Sequence, residues 1–415
     1  MVRLSPSRPL PTNTRFALCA ALGLALLESC ARHHVDDASR TYQPKVGQGE
    51  IVIGSSAALS GQSSFLGLQT VHGSMARIEE VNASGGVHGR KIKLISLDDG
   101  YEPARAVTNT QQLLVDNDVF ALFDYVGTPT STKIIDLTNR ARVPTLGFFT
   151  GAEALRTPFR PFMFHVRDSY YAEAEAAVAL FADQLKLSKI AVLYQEDAFG
   201  QAVLAGLQRA MKKRNLSAVA IDTYTRGTLD VERARDTIVK SGAEAVAMVG
   251  TYAPLAKYVK LSHDAGHHPW FHTVSFVGSE AFAKELIEKQ HVDPAQYSHI
   301  VVTQVVPSPF ADTFPAVREY RALAQKYFPA DPPNYVALEG FLGATVLVHA
   351  LEGAGPNPTR ESFVAALERT QDLDLGIGHR LSYSPTKHTG LTGTYYSSLH
   401  DDAKFQLFDA AELSR

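Results

Sequence analysis

The sequence predicts an α/β fold built as two lobes, each a parallel sheet flanked by helices. Two observations carry this. Short apolar runs that end in small, hydroxyl-rich turns alternate with helical patterns almost to the end of the chain, and such alternation argues for parallel sheets with crossover helices. Ten strand candidates are many for one sheet, and 415 residues allow two or three domains.

The N-terminus comes first. Arg3, Arg8 and Arg15, with no acid among them, precede the apolar run Phe16–Leu27. This is the order of a secretory signal, and the run is too short to span a bilayer as a helix. Pro6, Pro9 and Pro11 would break the start of a buried helix here. The two cysteines are Cys19, inside the run, and Cys30, just after it. The chain from Ala31 onward therefore has neither an internal disulfide nor thiol chemistry. Leu27-Glu28-Ser29-Cys30 resembles a bacterial lipobox that would lipidate Cys30, with Glu28 as a departure; Ser29-Cys30-Ala31 also fits a plain small-x-small cleavage site. Residues 1–30 are thus a signal peptide, and the polar, patternless residues 31–49 are a tether.

The strand candidates follow in order: Ile51–Ser55, Lys91–Leu97, Val119–Tyr125, Thr145–Phe149, Phe162–Arg167, Lys189–Tyr194, Ala218–Tyr224, Ala243–Val249, His272–Val277 and His299–Val305. Between them Ala174, Val178, Phe181 and Leu185 recur at i, i+4, i+7 and i+11, an amphipathic helical stripe. The tail changes character: Leu381–Pro385 and Thr394–Phe408 carry strand signals, with a turn at Asp401-Asp402.

Catalytic motifs are missing. The chain contains no Gly-x-Ser-x-Gly elbow, no phosphate-binding loop of the Gly-Lys-Ser/Thr kind and no Gly-x-Gly-x-x-Gly. Gly85-Gly86-Val87-His88-Gly89-Arg90 closes a helix and opens a strand, the reverse of a phosphate cradle. Asp98-Asp99 and Glu79-Glu80 are adjacent acids, which do not face each other on a helix or strand. His263, Asp264, His267, His268 and His272 cluster like metal ligands, but Gly266 is a plausible helix C-cap and histidines at a helix C-terminus interact well with its dipole, so no metal site is assigned. A net charge of −3 offers no basic excess for nucleic acid. No enzyme activity and no cofactor are expected.

Recognition chemistry remains. Ser60–Ser64, Gly127–Ser131 and Thr150–Ala152 follow strands in the first third; Gln195–Gly200, Gly250–Tyr252 and Ser275–Gly278 follow strands in the other half. Hydroxyls and amides at Gly127–Ser131 and Thr150–Glu153 make a seat for a carboxylate. Two opposed sets of such loops suit a small ligand held between lobes.

These residues resemble the leucine/isoleucine/valine-binding type of periplasmic solute-binding proteins, which serve ABC importers. The marks are Leu59-Ser60-Gly61, Asn82-Ala83-x-Gly85-Gly86-Val87-x-Gly89-Arg90, Asp98-Asp99, Asp197-x-Phe199-Gly200 and the Ser275–Gly278 turn, spread from about Gly49 to Phe408. The resemblance implies a clamshell with three crossings between lobes, a periplasmic or envelope-anchored location, a membrane permease as partner, and a monomer. Lobe one would be 50–167 plus 308–388, and lobe two 168–307 plus 389–415. It also implies the site. Thr128, with Thr130 in the same turn, would hold a ligand carboxylate; Thr150 and Gly151 would add contacts; Phe199 and Tyr252 would cover the ligand from lobe two. Amino-acid binders of this type place an acid against the ligand ammonium, where this chain has Ser275. Asp124, Glu196 and Glu339 are the acids that could substitute. If none does, the ligand is an amide, an aromatic acid or another carboxylate without an ammonium. A sensor acting through a separate receptor or kinase chain is the alternative to transport.

Overall fold

A computed structural model describes residues 49–296 and 299–410. The expected signal peptide, most of the tether and Cys30 lie outside them. β1 (Glu50–Ala57), β2 (Lys91–Asp98), β3 (Ala121–Phe123), β4 (Thr145–Leu146) and β5 (Met163–Phe164) make one sheet in the order β2-β1-β3-β4-β5, parallel throughout. β6 (Ile190–Gln195), β7 (Ala220–Tyr224), β8 (Ala245–Val249), β9 (Trp270–Thr273) and β10 (Ile300–Gln304) form the parallel part of a second. β11 (Leu373–Asp374) and β12 (Arg380–Leu381) pair as a small ribbon. β13 (Tyr395–Leu399) and β14 (Phe405–Phe408) are the predicted terminal hairpin, with Asp401 and Asp402 in its turn. The hairpin adds antiparallel to β10 and completes the order β14-β13-β10-β9-β8-β6-β7.

Both parallel sheets therefore reverse direction at the same place, between their first and third strands. Ligands of open α/β sheets bind outside the strand ends at such a switch point. Here the turns after β1 and β3 face that crevice in one lobe, and those after β6 and β8 in the other.

The connecting helices are α1 (Ser64–Ala83), α2 (Pro103–Val115), α3 (Thr128–Lys133), α4 (Ile135–Ala141), α5 (Tyr170–Val178), α6 (Ala198–Lys213), α7 (Glu232–Ser241), α8 (Tyr252–Asp264), α9 (Ser279–Lys284), α10 (Pro315–Tyr327), α11 (Tyr335–Ala354) and α12 (Arg360–Glu368). Helix α11 is long and apolar enough to cross a membrane, but it is mostly buried against α1, α10 and α12 and is a core helix. Its start is fixed by Asn334, whose side chain accepts from the Ala337 amide at 2.8 Å. Helices α1 and α11 touch backbone to backbone. A Cβ on Gly73 would lie 1.8 Å from the Ala337 carbonyl oxygen, and one on Gly340 would lie 2.3 Å from that of Thr70.

Each predicted strand overlaps an observed one, but several are misjudged in length: β3, β4 and β5 keep only three, two and two residues of the runs Val119–Tyr125, Thr145–Phe149 and Phe162–Arg167, and β12 keeps only Leu381 of Leu381–Pro385. The run His272–Val277 does not continue as strand: β9 ends at Thr273, its last residue paired with β10, and Ser275–Val277 form a 3₁₀ turn. The apolar character persists because Phe276 and Val277 are buried outside the sheet. Gly278, at φ +72°, then turns the chain into α9. Asp98 and Asp99 pin the loop after β2. Asp98 Oδ1 accepts from the amides of Leu59, Ser60 and Gly100, and Asp99 accepts from the Tyr101 amide and, at 2.7 Å, the Ser56 hydroxyl.

The chain passes from one sheet to the other along adjacent segments. Gly390 and Leu391 donate to the carbonyls of His165 and Val166, each at 2.8 Å, and the Gly393 amide donates to Asp168 at 2.7 Å.

Glu280 at the start of α9 accepts from the Tyr335 amide at 3.2 Å, at the start of α11, while its second oxygen is buried without a partner. Burial pushes its carboxyl up to about 8. A folded-state value above the ordinary one means that stability falls as pH rises from about 4.5 to about 8 and is level above that. Glu280→Gln is expected to remove this decline, gaining on the wild type as pH rises from 5 to 8. Melting curves taken across that range check it; parallel curves for the two proteins would refute it.

Candidate ligand-binding site

The turn after β3 is shaped by Gly127, at φ +96°, where a Cβ would lie 2.3 Å from the Tyr101 ring. Only glycine lets that ring press on the turn. The next residue, Thr128, opens α3 and is buried. Its hydroxyl meets that of Thr150 at 2.7 Å, so the turns after β3 and β4 are joined by a hydroxyl pair. Thr150 Oγ1 also accepts from the Ala152 amide at 3.3 Å. Gly151 accepts from the Tyr170 amide at 2.8 Å, and a Cβ there would collide with the Tyr170 backbone and ring.

From the other side come Phe199 and Phe276. Phe199 stands at the start of α6, held by Asp197, whose Oδ1 accepts from the amides of Phe199 and Gly200 at 2.9 and 3.2 Å. Phe276 is the centre of a buried aromatic cluster. Its ring centroid lies 4.7 Å from Phe199, 5.5 Å from Phe149 and 6.0 Å from Tyr101. Tyr170 closes the ring of contacts, 5.4 Å from Phe199. Tyr252 sits further along, edge-on to Phe65 of α1 at 6.3 Å.

Beneath the rings lies a buried ion cluster. The Arg167 guanidinium is 5.5 Å from the centroids of both Phe149 and Tyr170. Its Nη2 donates to Glu173 at 2.8 Å and to the Ser275 hydroxyl, and its Nη1 lies 3.4 Å from Glu339. Glu173 also accepts from the Ser275 amide at 2.7 Å, the Ser275 hydroxyl at 3.1 Å and the Thr303 hydroxyl at 2.9 Å. Burial raises both carboxyls, Glu339 to about 7, against the pull of Arg167.

At the rim, Arg226 follows β7 and reaches to the opposite loop. It donates to the Tyr101 carbonyl and, at 3.0 Å, to Glu102, while its Nε lies 3.8 Å from Asp197.

Of the residues predicted for the site, Thr128, Thr150, Gly151 and Phe199 come together with Ser275, through Tyr170, Phe276 and Arg167. Tyr252 stands apart, against Phe65, and two more are placed otherwise. The Thr130 hydroxyl is spent on the carbonyls of Val126 and Gly127, at 2.5 and 3.0 Å, because its side chain folds back over its own turn. Asp124, at φ +50°, turns into the interior of the first lobe, where Ser74 donates to it and Gly147 leaves it room. Among the other substitute acids, Glu196 is exposed and Glu339 belongs to the Arg167 cluster.

Residues 50–403 match a family model described as periplasmic binding protein. The chain belongs to the periplasmic binding protein family. It is similar to Leu/Ile/Val-binding protein homolog 3 of Brucella melitensis, 26% identical over 348 residues that cover 81% of this chain and 88% of that protein. An amino acid binding protein of Pseudomonas aeruginosa is 24% identical over 74% of this chain and 80% of its own length. The crystal structure of a possible leucine/isoleucine/valine-binding protein from Rhodopirellula baltica matches with a TM-score of 0.82 at 32% identity, covering 88% of this chain and 98% of that one. The fold is accordingly a two-lobed clamshell of the leucine/isoleucine/valine-binding type. This periplasmic binding protein is not an enzyme.

Several residues of the candidate site in this periplasmic binding protein escaped the sequence reading, among them Arg167, Glu173, Tyr170 and Phe276. Glu173 left a usable trace. It lies four residues before Ala177 and seven before Leu180, both buried, so a carboxylate sits on the apolar face of α5 and needs a buried partner.

Proposed function

We propose that the protein captures a small carboxylate, an amino acid or a related acid, outside the cytoplasm and delivers it to an ABC-type importer by clamshell closure. The observation that carries this is the Thr128–Thr150 hydroxyl pair facing the aromatic cluster. Hydroxyls supply directed donors for a carboxylate, and rings cover an apolar body. The names of the relatives support amino acids or their analogues as the class. We place lobe one at 50–167 plus 308–388 and lobe two at 168–307 plus 389–415. The five-stranded sheet from 50–164 and the seven-stranded sheet from 190–304 and 395–408 support that division. Export by residues 1–30, anchoring through Cys30 and action as a monomer with a membrane permease complete the reading.

Thr128→Val keeps the shape and removes one hydroxyl. It is expected to weaken binding by about 1–3 kcal/mol, the value of a hydrogen bond to a charged group. Calorimetric titration of both proteins with the best carboxylate from a thermal-shift panel measures this. Equal affinities would exclude Thr128 from the site.

A further inference from the structure

We propose that the site selects carboxylates that carry no ammonium group and present a flat apolar body. The inference rests on the carboxylate-binding reading and names the class within it.

The acids at the site have their partners already. Glu173 takes donations from Arg167, the Ser275 amide, the Ser275 hydroxyl and Thr303. Asp197 accepts from the Phe199 and Gly200 amides and, at 2.6 Å, from Gln195, with Arg226 beside it. Asp124 is turned away to Ser74. Glu339 faces the Arg167 guanidinium. An entering ammonium finds no carboxylate without a partner, and it meets Arg167, whose charge Glu173 and Glu339 already balance, beside Phe149 and Tyr170. A cation sealed from water without an anionic partner of its own is strongly disfavoured.

The groups left over suit an anion. Arg167 Nε is buried without an acceptor, and the buried hydroxyls of Tyr101 and Tyr170 lie beside Gln195 and beside Thr150 and the Gly151 backbone respectively. The first is a donor only, and the hydroxyls donate as readily as they accept. With the Thr128–Thr150 pair they provide O–H and N–H donors that an anion can take up. The rings of Tyr101, Phe149, Tyr170, Phe199 and Phe276 pack on one another here at centroid distances of 4.7 to 6.0 Å, and a guest would have to part them. Such rings favour a planar guest that takes up their offset or edge-on contacts.

Matched pairs that differ only in the ammonium test this on the wild-type protein: leucine against 4-methylpentanoate, and phenylalanine against 3-phenylpropanoate, by thermal shift and then calorimetry. The deaminated acids are expected to bind at least 100-fold more tightly than their amino-acid partners, with 3-phenylpropanoate ahead of 4-methylpentanoate. Tyr170→Phe, which keeps the ring, is expected to lower affinity for the acid about tenfold. Equal or tighter binding of the amino acids overturns the inference and leaves the carboxylate-binding reading standing. No response to any of the four compounds, nor to a wider set of carboxylates, overturns both.

Discussion

Replacing Arg167 with methionine is expected to cost about 3–5 kcal/mol of folding stability, the usual loss when one partner of a buried ion pair is removed. Arg167 and Glu173 are 1% and 0% exposed, so no water replaces the guanidinium. Glu173 would keep its bonds from Ser275 and Thr303, which are fewer than a buried negative charge needs. Its carboxyl, already raised by burial, would rise further. A group with a raised folded-state value loses stability as pH climbs from its unfolded value through its folded one. The deficit of the variant is therefore larger at pH 8 than at pH 5. Adding Glu173→Gln and Glu339→Gln removes both stranded charges and is expected to restore more than half of the loss, since neutral replacement of a whole buried ion cluster is often tolerated. Urea denaturation of the single and triple variants at the two pH values measures both effects. A triple variant no more stable than the single one would show that the charge was not the cause.

The second large effect is at the contact of α1 with α11. Gly73→Val would set a branched side chain against the Ala337 carbonyl, where even a Cβ lies at 1.8 Å. The obstacle is backbone, which has no rotamer by which to yield. The helices must separate, and the packing of Leu338, Phe341 and Leu342 around them is lost. Overpacking of this severity is expected to cost about 3 kcal/mol. Gly353→Ala on α11 is the control. Its nearest neighbour would be the Ala366 side chain at 3.3 Å, so crowding is slight and the better helix propensity of alanine offsets it. Thermal melting of the two variants should place Gly73→Val far below wild type and Gly353→Ala near it. Similar melting temperatures would mean that the helices accommodate the larger residue.

The fold was legible because its signals are local. Apolar runs and hydroxyl-rich turns mark strands and strand ends, and both parallel sheets follow from their repetition. The site was legible only in part. Thr128 and Thr150 announced themselves as hydroxyls at strand ends, but Thr130 and Asp124 belong to the same stretch and face elsewhere. Which way a residue points there depends on where the strand stops, and β3 and β4 are only three and two residues long. Phe276 was read as the continuation of a strand because burial in the sheet and burial in the cleft leave the same apolar trace. The pairing of Arg167 with Glu339 joins residues 172 positions apart, and Ser275 stands 108 from Arg167. One sequence carries no record of such partnerships. It showed only that the expected acid was missing at Ser275, and the structure has a guanidinium there in contact with that serine.

The reach of Arg226 to Tyr101 and Glu102 bears on time as well as affinity. A ligand enclosed behind that bridge leaves only when the bridge parts, so its residence is set by the opening rate of the protein. Ligands of different affinity would then share similar dissociation rates and differ in how fast they are captured. The Glu102 end of the bridge lies in solvent, where salt screens it. Release would then quicken with ionic strength even for a ligand whose own contacts are insensitive to it.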